Sequence, residues 1–193
     1  QMWLLVNELK NLPLRKVRGD IIADESFFDD NLRIKTWKKK WGVEAYNAPL
    51  GALSFNFNTV TVYVTPGGKP GDRPVVVVDP DIEFIRVDNR ARTVSTSKRS
   101  RLIVNRVDRG SHNEITVSGV ISVNHLRETY YLNVTQPAYY AAIVFKEYLR
   151  QAGIEVTGEV RVGSVPEGAY ELSSHTSTPL SLILRGLNKF SNN

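Results

Sequence analysis

Hydrophobic positions change their spacing several times along the chain, and each change predicts an element. Met2, Leu5, Val6 and Leu9 recur at i, i+3, i+4 and i+7, the spacing of a helix face, and Pro13 stops the run. RKVRGDIIADESFF, which follows, is short and β-branched with the acids of a turn after it, so it reads as a strand and its exit. Between Leu53 and Val64 the period becomes two. Leu53, Phe55 and Phe57 hold one parity and Val60, Val62 and Val64 the other, which predicts a bulge or break near Asn58–Thr59. The TPGGKPGDRP run beyond it is dense in turn formers and is the expected domain boundary. PVVVV, the region from Phe84 to Val87, RLIVNRV, EITVSGVISV and RETYYLNV then follow as closely spaced short strands. Ile115, Val117, Ile121 and Val123 share one parity. Such a run, without helical periodicity between its members, predicts a small sandwich or barrel.

At Pro137 the helical period returns. Pro137 suits a first helical position, Ala141, Val144, Phe145 and Tyr148 make an apolar stripe, and Gly153 is placed to end the helix. A strand with Ile154, Val156, Val160 and Val162 follows. The last helix is expected to have Thr178 as N-cap and Pro179 at its first position, with Leu180, Ile183, Leu184 and Leu187 as a buried stripe. Helices at both ends around a strand-rich middle make the chain α+β.

Composition narrows the class. The 193 residues are 41% hydrophobic and 23% charged, with 13 Gly and 9 Pro, which excludes disordered and collagen-like chains. No run of about 18 apolar residues occurs, so no membrane-spanning helix is expected. The opening residues lack the basic-then-apolar pattern of a secretory leader. A net charge of +5 is a mild excess that suits an anionic partner without requiring one. The absence of cysteine excludes disulfides, thiolate nucleophiles and Cys-based zinc sites.

The spacing of chemistry-bearing residues bears on several mechanisms. His112, His125 and His175 are far apart and in no metal-ligand spacing, so no metal and no cofactor is expected. Trp37 and Trp41 bracket Lys38, Lys39 and Lys40, and a second basic region holds Arg90, Arg92, Lys98, Arg99, Arg101 and Arg106. Together they offer stacking and charge to a polyanion, although a lone basic run is commonly a solvated face. Asp20, Asp24, Asp29 and Asp30 surround one turn, where turn formation and capping account for them without paired-carboxylate chemistry. A serine–lysine mechanism needs S-x-x-K opening a helix, S-x-N in a loop and a K-T-G strand. Ser191-Asn192-Asn193 fits the second motif after an amphipathic helix, whereas Ser54-Phe55-Asn56 and Ser122-Val123-Asn124 fall inside strand patterns. Ser95-Thr96-Ser97-Lys98 matches the first motif but no helical stripe follows it, so a nucleophile there would lack its activating geometry. No K-T-G or K-S-G occurs in the chain.

The order of RGDIIADESFF, YNAPLGALSFNFNTVTVYVTPGGKPG, DNRARTV, QPAYYAAIVFKEYLRQAGIEVTGEV, HTSTPL and NKFSNN resembles the class C low-molecular-mass penicillin-binding proteins. These are the D-alanyl-D-alanine carboxypeptidases and endopeptidases of peptidoglycan. The resemblance covers nearly the whole chain. It implies a transpeptidase-like catalytic domain interrupted by nested insertions, with residues 1–75 and 136–175 as the second domain and 76–135 as the third. Residues 176–193 would be the returning helix of the catalytic domain.

The resemblance implies roles as well. Ser191 would pass a proton to the departing D-alanine, and Asn193 would hold the acyl chain's amide. Lys189 and Asn188 match the usual lead-in to that motif. The nucleophilic Ser and its Lys would lie upstream of Gln1 and the K-T-G strand beyond Asn193, which makes the chain inert by itself. Trp37, Trp41 and Tyr46 fall where family members grip the peptide side chain, but lysines stand here in place of the expected acids. A lysine-rich site favours an anionic group over an ammonium. The implied partners are peptidoglycan peptides and β-lactams rather than nucleic acid, in an extracytoplasmic compartment and with peripheral membrane association allowed. The rival reading is a non-catalytic β-rich module that binds anionic polymers through its two basic regions.

Overall fold

The computed structural model describes residues 2–29, 31–33, 42–95 and 100–190. It begins with helix α1 (Met2–Asn11) and the short strands β1 (Lys16–Val17) and β2 (Ile21–Ala23). The middle of the chain forms β3 (Thr59–Thr65), β4 (Val75–Asp79), β5 (Ile85–Asn89), β6 (Arg92–Val94), β7 (Arg101–Asp108), β8 (Asn113–Ser122) and β9 (Glu128–Asn133). Helix α2 (Pro137–Gln151), strands β10 (Glu155–Val156) and β11 (Val160–Val162), and helix α3 (Leu180–Phe190) complete it. The chain is a mixed α+β fold. No described helix is long and apolar enough to cross a membrane.

The parity change between Leu53 and Val64 resolves into a break. Asn56, Phe57 and Asn58 form a 3-10 turn with φ of 48°, 55° and 54°, and only at Thr59 does the extended strand begin. Asparagine tolerates this left-handed region because its short amide bonds locally; Phe57 is carried there between two of them and its ring is exposed. From Thr59 onward Val60, Val62 and Val64 are fully buried, as their shared parity requires.

β3 is the centre of an antiparallel sheet of order β4-β3-β9. A second sheet is built on β8. β7 pairs with it antiparallel, from Arg101 opposite Val120 to Asp108 opposite Asn113. β5 and β6 share the other edge, both parallel to β8. Gly119 allows the close approach of β7: its φ is +91°, and a Cβ there would sit 2.2 Å from the Arg101 carbonyl oxygen. The two sheets contribute Val60, Val62, Leu132, Ile115, Val117 and Ile121 to one buried cluster, with Phe84 and Tyr140 between them.

The TPGGKPGDRP run is the loop of the β3–β4 hairpin, and β6 pins its tip. The Thr93 hydroxyl accepts from the Gly67 N–H at 2.8 Å. The Gly71 N–H donates to the Thr93 carbonyl and the Thr93 N–H to that of Asp72, both at 2.8 Å. β3 and β4 pair across this loop, from Thr61 opposite Asp79 to Thr65 opposite Val75.

α2 starts with Pro137 at its first turn and is followed by Gly153 at φ +85°. It is buried beyond the expected stripe, through Ala138, Tyr140, Ala142, Ile143 and Leu149, because it packs against β2, β11, β10 and α1 at once. Phe55 and Phe84 meet it in edge-on aromatic contacts: Phe55 lies 5.8 Å from Tyr140 and Phe84 5.5 Å from Tyr139. Buried Tyr140 donates its hydroxyl to the Thr59 carbonyl at 2.9 Å, joining the helix to the start of β3.

α3 departs from expectation. The stripe expected to be buried is open: Leu180 is 67% exposed, Ile183 48%, Leu184 46% and Leu187 36%. The periodicity is that of a packed helix, but no described residue covers the apolar face. Truncating the core and truncating this face should therefore differ sharply. Ile121→Ala should lower unfolding stability by about 2–5 kcal/mol, and Leu184→Ala by less than about 0.5 kcal/mol, both read by urea unfolding of the chain.

Candidate active-site region

α3 runs into the Ser191-Asn192-Asn193 motif, with Asn188 and Lys189 exposed on its last turn. Ser191 and Asn193 lie outside the described residues, as do Trp37 and Trp41. Of the residues expected to grip the peptide, Tyr46 is described. It sits in a 3-10 turn, Ala45–Asn47, with its side chain 71% exposed.

The backbone under Tyr46 is held by a buried amide. Asn133, at the end of β9, donates its Nδ2 to the carbonyls of Gly42 at 3.0 Å and Glu44 at 2.9 Å. Its N–H donates to the Val43 carbonyl at 2.8 Å. Its own oxygens accept from Arg106, the carbonyl from Nε at 3.1 Å and Oδ1 from Nη2. Asn47 adds a bond from Nδ2 to Glu44 Oε2 at 2.9 Å. A second buried amide, Asn58, donates to the Pro49 carbonyl at 2.9 Å and to Ser54 Oγ at 3.1 Å, fixing the stretch after Tyr46. Asn113 and Thr135 close the set, with Asn113 Nδ2 donating to Thr135 Oγ1 at 2.7 Å and the Thr135 N–H donating to Asn113 Oδ1 at 3.1 Å. A solvent-facing aromatic thus rides on a fixed loop, the arrangement a binding side chain needs.

Sequence reasoning missed these asparagines and placed Arg106 only as one member of a basic region. A signal was available for Arg106, since on β7 it shares the inward parity of Leu102 and Val104 while Arg101, Ile103 and Asn105 face out. A charged residue on an apolar parity marks an internal bond. Its inward placement also divides the second basic region, because Arg101 and Arg106 occupy opposite faces of one strand. Arg90 is held by Asp88, with Nε donating at 2.7 Å, and this bond raises its pKa further above the ordinary guanidinium value. Lys98 and Arg99 lie outside the described residues.

The turn acids bond to backbone. Asp24 accepts from the Ser26 N–H at 2.9 Å and the Val165 N–H at 2.7 Å, and Asp20 accepts from the Glu159 N–H at 2.8 Å while pairing with Arg161. The bond to Ser26, followed by that from Val165, holds the Asp24 carboxyl below its usual range. Both residues tie the first strands to the chain around β11. Ser95 directly follows β6 in non-helical backbone. No group of three or more His, Asp or Glu placed to hold a metal occurs among the described residues.

Two clefts open on the described surface. One, of about 1070 Å³, lies between the outer side of α2 and the β4–β5 connection, with Asp79, Glu83, Arg86, Lys146 and Glu147 on its walls. The other, of about 550 Å³, lies where Arg33, Pro49, Arg106 and Thr135 meet.

The profile of the D-Ala-D-Ala carboxypeptidase 3 (S13) family matches residues 1–193. The chain belongs to this family. It is 33% identical over 191 residues to the D-alanyl-D-alanine carboxypeptidase of an Actinomadura strain, an alignment covering 93% of this chain and 35% of that enzyme. It is 25% identical over 194 residues to D-alanyl-D-alanine carboxypeptidase DacB of Haemophilus influenzae, covering 100% of this chain and 40% of the relative. This S13-family chain thus spans well under half the length of these curated relatives. Its fold is similar to that of penicillin binding protein 4 (dacB) from Haemophilus influenzae, with a TM-score of 0.76 at 23% identity over 100% of this chain and 42% of the other. A second structure of that protein, complexed with a novel β-lactam, gives a TM-score of 0.68 at 23% identity, covering 100% of this chain and 40% of the other.

On the wall of the larger cleft, Glu147 accepts from Arg150 Nε at 2.8 Å and Nη2 at 2.7 Å, and from Gln151 Nε2 at 2.8 Å. The bonds from Arg150, then that from Gln151, lower its pKa to about 2. A folded pKa below the unfolded one contributes stability that is full above the unfolded value and lost as pH falls through the folded one. An NMR titration of the Glu147 carboxyl should give a midpoint near 2, and Arg150→Gln should move that midpoint up toward the ordinary 4.5.

Proposed function

We propose that this chain is part of a serine-type D-Ala-D-Ala carboxypeptidase and endopeptidase that trims peptidoglycan peptides outside the cytoplasmic membrane and is acylated by β-lactams. In this reading the chain supplies the inserted domains and the S-x-N motif, and the nucleophilic serine belongs to the protein outside it. The supporting observation is α3: an amphipathic helix with an uncovered apolar face, directly ahead of Ser191-Asn192-Asn193, in an S13-family chain. Such a face needs a partner, and a catalytic domain completed from both sides of the insertion would provide one.

The chemistry follows from the residue types. An acyl-enzyme forms when the serine oxygen attacks the penultimate D-alanine carbonyl and the C–N bond to the last residue breaks. The departing amine needs a proton, which the Ser191 hydroxyl is placed in the motif to deliver. The Asn193 amide can donate to, and accept from, the backbone of the acyl group. Tyr46, exposed on its fixed loop beside the lysine-rich stretch, would meet the free end of the peptide side chain and favour one bearing an anionic group. The inward-turned Arg106 and the paired Arg90 speak against the rival polyanion-binding module, because they interrupt any continuous basic face.

The test is a protein in which the chain is rejoined to its coding context. Ser191→Ala should lower turnover of a D-Ala-D-Ala peptide by about 10²–10⁴-fold, the usual worth of a positioned proton donor. It should leave the acylated serine itself in place, detected as a labelled-penicillin adduct by mass spectrometry. The 193-residue chain alone should take up no label. An adduct on Ser95 would overturn the assignment of the nucleophile to a site outside the chain.

A further inference from the structure

Charge is unevenly placed along the chain. Residues 89–107 and 115–127 contain no Asp or Glu and hold seven of the 25 Lys and Arg. The remainder has 18 basic and 20 acidic residues, so the whole positive excess resides in these two stretches. Strand pairing brings both into the sheet built on β8. Val120 of β8 has Arg92 of β6 opposite it on one side and Arg101 of β7 on the other. Residues directly opposite one another share a face of the sheet. Val120 has the parity opposite to buried Ile121, so this row lies on the outer face.

Both arginines are exposed, and neither guanidinium makes a hydrogen bond or ion pair among the described residues. Ser118 and Ile103 form the next row; it is uncharged, and Ile103 is 57% exposed. Beyond it Arg90 is bonded to Asp88, and Arg106 turns inward, so the unpaired positive charge of this face is confined to one end. The chain leaves that end after Val94 and returns to it at Arg101, and the intervening sequence adds Lys98 and Arg99, which lie outside the described residues. Arg92 and Arg101 stand two strand spacings apart, roughly 9–10 Å at the backbone. In open solvent each single ion pair with a small anion is worth little. A polymer charged at every repeat gains several such contacts at once and releases its counterions. Arginine, rather than lysine, occupies both described positions, and its planar fork matches the paired non-bridging oxygens of a phosphodiester.

We propose that the outer face of the β8 sheet, at the row of Arg92, Val120 and Arg101, docks a phosphodiester-linked polymer. The two unpaired guanidiniums supply charge and forked donors, and exposed Ile103 lies beside them as apolar surface for the repeat between phosphates. The contact rests on one pair of arginines in register and not on a continuous basic face. It does not depend on the catalytic reading above.

The experiment is fluorescence anisotropy of a labelled glycerol phosphate oligomer titrated with the full chain over a series of salt concentrations. Saturable binding that weakens as salt rises is expected. Arg92→Gln and Arg101→Gln should each weaken it about three- to fivefold and lower the salt slope by roughly one. Lys10→Gln, which removes an exposed cation from the last turn of α1, should leave it unchanged. Absence of binding, or a loss from Lys10→Gln equal to that from the arginine variants, would overturn the proposal. Equal binding of polyglutamate would overturn the choice of phosphate, and binding confined to phosphatidylglycerol vesicles would replace the polymer with a lipid surface.

Discussion

Asn133 stands where three parts of the molecule meet, and every polar atom it has is engaged there. Its backbone ends β9, its amide nitrogen holds the loop that carries Tyr46, and its oxygens anchor the guanidinium of Arg106 on the neighbouring sheet. A buried amide with any of these bonds unmet would cost about 1–3 kcal/mol. The loop, the end of the first sheet and the edge of the second are consequently fixed by one side chain. Asn58 and Asn113 repeat the device on either side, through Pro49 and Thr135. Asn133 and Asn58 position the loop around Tyr46 against a core of valine and isoleucine that has no directionality of its own.

Much of the fold was legible where periodicity was long. The first helix, the valine strand, β8 and the second helix all appear where their spacing placed them, because ten or so residues of consistent pattern outweigh local ambiguity. β6 was not legible: three residues give no period, and the strand exists because Thr93 is bonded to the hairpin tip. Parallel pairing of β5 and β6 with β8 was equally hidden, since alternation records which face is buried and says nothing of strand direction. The Pro- and Gly-rich run was legible as a turn, but turn chemistry does not distinguish a linker from a hairpin loop.

The candidate site divides along the same line. The S-x-N motif was singled out by its place after an amphipathic helix, and the tyrosine by family resemblance; the motif lies outside the described residues. The amides that support the tyrosine were invisible, because an asparagine in a strand has no spacing to betray it. α3 shows the opposite error. Its leucine stripe was read correctly as a face that wants burial, yet amphipathy reports a preference and not its fulfilment. The exposed stripe and the S13-family match together make the helix the part of the chain whose structure depends most on what it meets.

Two short ladders have a consequence for assembly. β1 pairs in parallel with β10 and β2 with β11, joining residues 16–23 to residues 155–162. The bond between Lys16 and Glu155 spans 139 positions of chain. Loops that long close at an entropic cost that grows only slowly with length, but these ladders have two and three residue pairs to set against it. They form a short seam between the two stretches of chain that flank the sheets. A unit closed by such a seam lets its chain enter and leave at one doorway, so its interior can fold as a piece while its threshold stays adjustable.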